Sequence, residues 1–101
     1  MIYLHSINVT HRDIKLENII LSEDLKSIKL IDFGFSICIL PHKKLKIYCG
    51  TPSYMAPEIV WKREYYGPPT DIWAAGVLLY TMLEGIFPFR GSSDWDLYKK
   101  I

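Results

Sequence analysis

The sequence predicts an α+β fold in which helices dominate and one short β-hairpin carries polar residues at its open end. Two short apolar runs, 19–21 and 28–31, flank a polar turn. A longer apolar stretch, 72–83, lies between two acidic residues. Since 101 residues make about one small domain, we expect one folding unit or a part of one.

The hairpin comes first along the chain. Asn18 precedes the first apolar run, and Asp32 follows the second. Two short strands around a turn fit this pattern. In an antiparallel hairpin, the residue that enters the first strand and the residue that leaves the second lie at the same end. We therefore expect Asn18 and Asp32 to face each other.

Residues 35–55 predict an ordered or switchable loop, because apolar and basic stretches alternate there without a sustained period. The loop contains a basic cluster, which we interpret as a solvated segment, with contact to an anion or phosphate as the alternative. The cluster consists of His42, Lys43, Lys44 and Lys46.

Two helices are expected after the loop. A Gly-Pro-Pro-Thr sequence at 67–70 breaks the chain, and the apolar stretch then predicts a helix from about Asp71 to Glu84, closed by Gly85. Since this helix is apolar on nearly every face, we expect it to run through the core. Another helix is predicted to begin near Asp94.

Composition argues against several classes of protein. The formal net charge of +1 gives no electrostatic reason to expect nucleic acid or an anionic membrane as a partner. The longest apolar run is too short to span a bilayer, and residues 1–6 do not resemble a secretory signal. Cys38 and Cys49 have neither a metal-binding spacing nor a disulfide framework, so we expect free thiols. The resulting expectation is a cytoplasmic or nuclear protein that is not secreted.

The loop at 11–18 holds a carboxylate, an ammonium group and a carboxamide, on Asp13, Lys15 and Asn18. A carboxylate can deprotonate an attacking hydroxyl, a lysine can neutralise charge on a moving phosphoryl group, and an amide oxygen can bind Mg²⁺. Asp32 would supply a second oxygen ligand. These residues therefore predict phosphoryl transfer at a magnesium site.

Three motifs carry a family resemblance. Residues 11–18 read His-Arg-Asp-Ile-Lys-Leu-Glu-Asn, residues 32–34 read Asp-Phe-Gly, and residues 56–58 read Ala-Pro-Glu. In this order they resemble the catalytic loop, the metal-binding tripeptide and the end of the activation segment of eukaryotic protein kinases, serine/threonine branch. The apolar helix is similar to the central helix of that family at Asp71, Trp73 and Gly76.

The resemblance implies a protein-kinase-like fold over residues 1–101. This chain would be an incomplete C-terminal lobe, mainly α with a short catalytic β-hairpin, and the N-terminal lobe would be absent. Segments 48–54 and 87–89 are similar to the calcium/calmodulin-dependent and energy-sensing kinase group. The implied activity is Mg²⁺-dependent transfer of the γ-phosphoryl group of ATP to Ser or Thr hydroxyls of protein substrates. The oligomeric state is not indicated.

The resemblance also implies roles for individual residues. Asp13 corresponds to the catalytic base, and Lys15 to the lysine that contacts the γ-phosphate in serine/threonine kinases. Thr51 corresponds to the threonine that bridges these two side chains. Asn18 and Asp32 would hold Mg²⁺. The residues that would bind ATP and its metal are Lys15, Asn18, Ile20 and Asp32.

Supporting contacts are implied as well. His11 and Phe33 correspond to stacked members of an apolar spine, and Asp71 would accept hydrogen bonds from the catalytic-loop backbone. On the adenine side, the implied supports are Ile20, Leu78 and Met82.

Each of these residues has a structural alternative. Asp13 and Lys15 could form a surface charge pair, and Asp32 could be a turn former at a strand end. Asp71 could cap its helix, and Thr51 could be an ordinary turn hydroxyl. For the whole chain, the alternative function is a truncated, non-catalytic kinase-like binding module.

One departure from the family concerns activation. Arg12 corresponds to an arginine that commonly pairs with a phosphorylated threonine three residues before the loop glycine, but Ile47 occupies that place here. We predict that activation does not use this phosphosite. Weaker candidates are Ser36, Tyr48 and Ser53.

The elements that form the roof of an ATP site in this family have no counterpart in residues 1–101. There is no Gly-rich phosphate loop, no strand lysine and no glutamate-bearing helix before the catalytic loop. The arginine that pairs with Glu58 in the family would follow residue 101. We therefore expect the isolated chain to fold poorly and to transfer little or no phosphate.

Overall fold

The computed structural model describes residues 1–101, in which helices accompany two small antiparallel sheets of two strands each. The helices are α1 (Ile2–Ser6), α2 (Pro57–Val60), α3 (Gly67–Glu84) and α4 (Asp94–Lys100). The strands are β1 (Val9–Thr10), β2 (Ile19–Leu21), β3 (Ile28–Leu30) and β4 (Ile37–Cys38). Short 3₁₀ turns occur at Leu16–Asn18 and Pro52–Tyr54.

Strands β2 and β3 form the predicted hairpin, with Ile19 opposite Leu30. Just beyond this pair, the Ile31 N–H donates to the Asn18 carbonyl at 2.9 Å. The chain therefore leaves β3 beside the residue that enters β2. This confirms that Asn18 and Asp32 lie at the same end of the hairpin.

The second sheet corrects the loop prediction for residues 35–55. Strand β4 pairs antiparallel with β1, with Ile37 opposite Thr10. The Ile39 N–H extends the pairing by donating to the Asn8 carbonyl at 3.0 Å. A two-residue strand whose partner lies far away in the sequence leaves no local periodicity, which is why the pattern did not show it.

Helix α3 begins at Gly67, one turn earlier than predicted, and ends at Glu84 as predicted. The Gly-Pro-Pro-Thr sequence is its first turn and not a break. Proline fits there because the first N–H groups of a helix have no intrahelical partner. At the other end, Gly85 adopts the left-handed conformation with φ of 72° and closes the helix.

One face of α3 packs against the core, and the other face is exposed. The prediction that this helix runs through the core is therefore wrong for these 101 residues. The buried side chains recur at helical spacing: Thr70, Asp71, Ala74, Val77 and Leu78. Apolar side chains on the remaining surface stay open to solvent, including Ile72, Leu79, Met82 and Leu83. The reason is that the core cluster of Ile14, Tyr54, Ala74, Val77 and Leu78 lies on one side of the helix only.

The last helix and the cysteines agree with the sequence predictions. Helix α4 begins at Asp94, and the Ser93 hydroxyl caps it by accepting the Asp96 N–H at 3.2 Å. Cys38 and Cys49 are free thiols. No helix of the structure combines the length and apolar content needed to cross a membrane.

Candidate active site

The side chain of Asp71, on α3, stabilises the backbone of the predicted catalytic loop, residues 11–18. Its side chain is 1% exposed, and its two oxygens accept the His11 N–H at 2.9 Å and the Arg12 N–H at 2.8 Å. His5 Nε2 lies 2.9 Å from the same carboxylate. These contacts stabilise a turn in which Arg12 has a positive φ of 68°. The helix-cap alternative is therefore wrong, because both oxygens bind the loop.

Asp13, Lys15 and Thr51 form a closed triangle. The Lys15 ammonium lies 2.8 Å from one Asp13 oxygen. The Thr51 hydroxyl donates to the other Asp13 oxygen at 2.8 Å and accepts from Lys15 Nζ at 2.9 Å. Asp13 is only 4% exposed, so it belongs to no surface charge pair. The structure therefore brings together the three residues predicted to be catalytic.

Asp13 and Lys15 each stabilise the charged form of the other. Burial opposes ionisation of Asp13, but hydrogen bonds from Lys15, Thr51 and Asn18, together with the Lys15 charge, hold its pKa below the usual value. The hydrogen bond to Asp13 in turn raises the pKa of Lys15. At neutral pH the site therefore presents an ionised carboxylate beside an ammonium group, an arrangement that can orient a hydroxyl next to a phosphate contact.

Asn18 is tied to the same carboxylate. Its amide nitrogen donates to the Asp13 carbonyl at 2.8 Å and to the Asp13 carboxylate at 3.2 Å. This orientation uses the amide hydrogens and leaves the amide oxygen available as a ligand. Asn18 is buried, so the orientation is firmly held.

Asp32 lies at the exposed end of the hairpin with a positive φ of 59°. One carboxylate oxygen accepts the Gly34 N–H at 3.1 Å, as the turn-forming alternative predicts. The other oxygen remains available. Asn18 and Asp32 thus offer two hard oxygen donors, the chemistry that Mg²⁺ prefers. The structure contains no group of three or more ionisable ligand residues, so water and phosphate oxygens would have to complete the coordination of Mg²⁺.

The catalytic loop also contacts the Asp-Phe-Gly segment. The rings of His11 and Phe33 pack edge to face with centroids 4.9 Å apart. His11 Nε2 lies 3.0 Å from the Ile31 carbonyl. The predicted stacking of His11 and Phe33 is therefore confirmed as a contact.

The residues predicted to support adenine are divided between the core and the surface. Leu78 is buried in the core cluster. Ile20 lies on the hairpin and is 50% exposed. Met82 is 65% exposed and belongs to no core cluster, so the structure does not pair it with Leu78.

The activation segment is anchored by Tyr65. Its hydroxyl donates to the Ile47 carbonyl at 2.7 Å. Leu45 and Tyr65 exchange backbone hydrogen bonds of 2.7 and 3.1 Å. Arg12 donates from Nε to the Phe35 carbonyl at 2.6 Å, while its Nη1 is buried without a partner. The segment around Ile47 is thus held by backbone and tyrosine contacts.

Sequence reasoning missed three residues that shape the site. Tyr54 is buried, and its hydroxyl accepts the Leu16 N–H at 3.5 Å. Tyr65 and His5 make the contacts described above. The aromatic residue type at position 54, between Gly50 and Ala56, is the sequence signal that could have indicated Tyr54. His5 is separated from Asp71 by 66 residues, so no local pattern could have linked them. Glu58 forms no ion pair within residues 1–101.

Comparison with known proteins shows which family the sequence of this chain matches. A family model described as "Protein kinase domain" matches residues 1–101. Human "NUAK family SNF1-like kinase 1" is 48% identical over 99 residues, which are 98% of this chain and 15% of that protein. "Probable serine/threonine-protein kinase HSL1" of Saccharomyces cerevisiae is 43% identical over 99 residues, 98% of this chain and 6% of that protein. "Serine/threonine-protein kinase SAPK3" of rice, Oryza sativa subsp. indica, is 43% identical over 99 residues, 97% of this chain and 30% of that protein.

The chain spans less than a third of each of these relatives, whereas the family match covers its whole length. The matched residues contain the triangle around Asp13 and the Asp71 contacts that hold it. The relatives named above are serine/threonine protein kinases, and the family match shows that this chain belongs to the protein kinase family.

Proposed function

We propose that this chain carries the catalytic machinery of a serine/threonine protein kinase that transfers the γ-phosphoryl group of ATP to a Ser or Thr hydroxyl of a protein substrate. The observation that carries the proposal is the triangle of Asp13, Lys15 and Thr51, with its three contacts of 2.8 to 2.9 Å. A carboxylate and an ammonium group held this close can act on the two partners of one phosphoryl transfer.

The proposed roles follow from the chemistry of each group. Asp13 orients the acceptor hydroxyl and takes its proton as the hydroxyl oxygen bonds to the γ-phosphorus, while the bond from that phosphorus to the β,γ-bridging oxygen breaks and ADP leaves. Lys15 donates to the transferred phosphoryl group and balances its negative charge. Thr51 hydrogen-bonds both, which keeps their separation constant. Asn18 and Asp32 would hold Mg²⁺, which when bound neutralises charge on the phosphate oxygens.

Within the protein kinase family, we assign the chain to the calcium/calmodulin-dependent and energy-sensing kinase group. Its support is the similarity of segments 48–54 and 87–89 and the identity of 48% with an SNF1-like kinase. The proposed partners are ATP and a protein substrate, and the proposed location is the cytoplasm or nucleus. The near-neutral net charge supports a function without nucleic acid or membrane binding.

We further propose that residues 1–101 form part of the C-terminal lobe, with the remaining contacts to ATP made by residues outside this range. The order of the catalytic-loop, Asp-Phe-Gly and Ala-Pro-Glu motifs supports this placement. The exposed apolar face of α3 supports it too, because a helix that is apolar on nearly every side is normally covered. The bare chain is accordingly expected to transfer little or no phosphate.

The test begins with the intact mass of the native protein, isolated with an antibody against this segment. A mass well above 11.8 kDa would support the partial-lobe proposal, and a mass near 11.8 kDa would favour the non-catalytic binding module. The isolated protein is then incubated with radiolabelled ATP, Mg²⁺ and Ser or Thr peptides.

Asp13→Asn should lower phosphate transfer by a factor of about 10² to 10⁴. Glu84→Gln serves as the matched control, since it also neutralises an acidic side chain but lies at the exposed end of α3. Equal activity of the Asp13 variant and the control would exclude Asp13 as the catalytic base.

A further inference from the structure

Tyr54 contacts both segments that supply the triangle around Asp13. It follows Thr51 in a short 3₁₀ turn, and its N–H donates to the Thr51 carbonyl at 2.9 Å. Its hydroxyl accepts the N–H of Leu16, the residue after Lys15, at 3.5 Å. One residue therefore links the turn that begins at Thr51 to the loop that carries Lys15.

The ring of Tyr54 is fixed by the core. Tyr54 is 5% exposed and belongs to the same core cluster as Ile14, the residue between Asp13 and Lys15. The Phe87 ring packs against it edge to face, with centroids 5.3 Å apart. Because protein cores are closely packed, a ring in this position has little room to move. The hydroxyl at its end therefore stays beside the loop.

The Leu16 N–H depends on this hydroxyl for a partner. Leu16 is the first residue of the 3₁₀ turn Leu16–Asn18, and the first N–H groups of a helix have no acceptor within it. Burial raises the pKa of Tyr54, so at neutral pH the group is a neutral phenol whose oxygen can accept this bond. At 3.5 Å the hydrogen bond is long, so its loss should have a modest effect.

We propose that Tyr54 is a positioning residue for phosphoryl transfer, which keeps the Lys15 ammonium in contact with Thr51. This inference rests on the proposed function of the site. Tyr54 would act through the backbone, since it fixes the chain at Leu16 on one side of Lys15 and packs with Ile14 on the other. Lys15 must meet negative charge that develops in the transition state, so its displacement should lower kcat and leave KM unchanged.

The test measures steady-state phosphate transfer by the full protein, with ATP, Mg²⁺ and a Ser or Thr peptide. Tyr54→Phe removes the hydroxyl and keeps the buried ring. It should lower kcat about threefold and change KM for ATP and for the peptide less than twofold. Tyr3→Phe makes the same chemical change on a side chain that is 72% exposed and should leave both constants unaltered.

Leu16→Pro removes the other partner of the same hydrogen bond. Proline fits the first position of a helical turn, and Lys15 before it has the extended backbone that proline favours, with φ of −161° and ψ of 167°. The Leu16 side chain is 54% exposed, so its loss costs little packing.

The two changes together form a double-mutant cycle. Leu16→Pro should also lower kcat about threefold, and the double variant with Tyr54→Phe should be no slower than either single variant. If the double variant shows the product of the two single effects, the hydroxyl does not act through Leu16, and the inference is wrong.

Amide exchange measures the contact independently of activity. In Tyr54→Phe, the Leu16 amide should exchange with deuterium about threefold faster or more, because its acceptor is gone. An unchanged exchange rate would overturn the inference. An unchanged kcat in Tyr54→Phe would overturn it as well, while activity that is lost in Asp13→Asn would leave the proposed function in place. Phosphate transfer that survives Asp13→Asn would contradict the proposed function and, with it, the inference.

Discussion

The Lys15 ammonium lies 2.8 Å from the Asp13 carboxylate, although only one residue separates them. Lys15 has an extended backbone, with φ of −161° and ψ of 167°. In an extended segment, residues i and i+2 point to the same side. The lysine reaches the aspartate from within the same short loop, and Thr51 completes the triangle from another part of the chain.

The first prediction concerns the pH dependence of Asp13. Its folded-state pKa lies below the usual value, so the unfolded chain binds protons more readily than the folded one as pH falls. The stabilisation from Asp13 should be fully present above the ordinary aspartate pKa of about 3.9 and should disappear as pH falls through the lower folded-state pKa. We expect the difference in urea unfolding free energy between the unaltered chain and Asp13→Asn to shrink steadily over that range.

Glu84→Gln is the control, since it alters an exposed carboxylate at the end of α3. A difference between Asp13→Asn and the unaltered chain that stays constant from pH 7 to pH 3 would contradict the depressed pKa.

The second prediction concerns Asp71. Asp71→Asn keeps the shape of the side chain but replaces one acceptor oxygen with an N–H donor group, which then faces a backbone N–H of the catalytic loop. At a position 1% exposed, this change should lower the unfolding free energy by about 2 to 4 kcal/mol. Chemical denaturation measures the effect.

Asp94→Asn makes the same chemical change in the exposed first turn of α4 and should cost less than about 1 kcal/mol. Comparable losses for the two variants would show that the loop does not depend on Asp71.

The third prediction compares two glycines of α3. An ideal Cβ on Gly67 would lie 2.8 Å from the Thr10 Cβ, so Gly67→Ala should lower the unfolding free energy by about 1 to 3 kcal/mol. Gly76 has no atom within 4 Å of such a Cβ. Gly76→Ala should therefore raise the unfolding free energy by about 0.5 to 1 kcal/mol, because alanine favours the helix.

The pair Gly67→Ala and Thr10→Ala tests the cause by a double-mutant cycle. Removal of the Thr10 hydroxyl and methyl should relieve part of the collision, so the two changes together should cost less than their sum. If the two changes in unfolding free energy are strictly additive, the loss caused by Gly67→Ala does not come from its contact with Thr10.

The fourth prediction concerns the activation segment. Tyr65→Phe removes the hydrogen bond to the Ile47 carbonyl and should lower the unfolding free energy by about 0.5 to 1.5 kcal/mol. The backbone amides of Leu45 and Tyr65 should exchange with deuterium faster, because the segment loses one of its anchors.

Tyr3→Phe is the control, since Tyr3 is 72% exposed. Unchanged exchange at Leu45 in the Tyr65 variant would show that the backbone bridge alone holds the segment. Phosphopeptide mapping of active protein tests the related expectation about Ile47, and a required phosphate on Tyr48 would show that the switch has moved within the segment.

The sequence by itself determined the features that depend on local backbone preferences. The β2–β3 hairpin, the end of α3 at Gly85 and the start of α4 near Asp94 were predicted because short strands and helix boundaries leave signals within a few residues. The order of the three motifs also predicted the residues around Asp13, through the resemblance to protein kinases. The match to the protein kinase family model supports that resemblance.

Contacts between distant segments leave no local signal in the sequence. Thr51 is 38 residues from Asp13, and only the family resemblance predicted their hydrogen bond. His5 is 66 residues from Asp71, and only the tertiary structure decided that contact. The pairing of β1 with β4 and the one-sided burial of α3 also depend on contacts between segments that are distant in the sequence. Contacts of this kind depend on how whole elements pack, and the spacing of residues along a segment encodes only which way each side chain points.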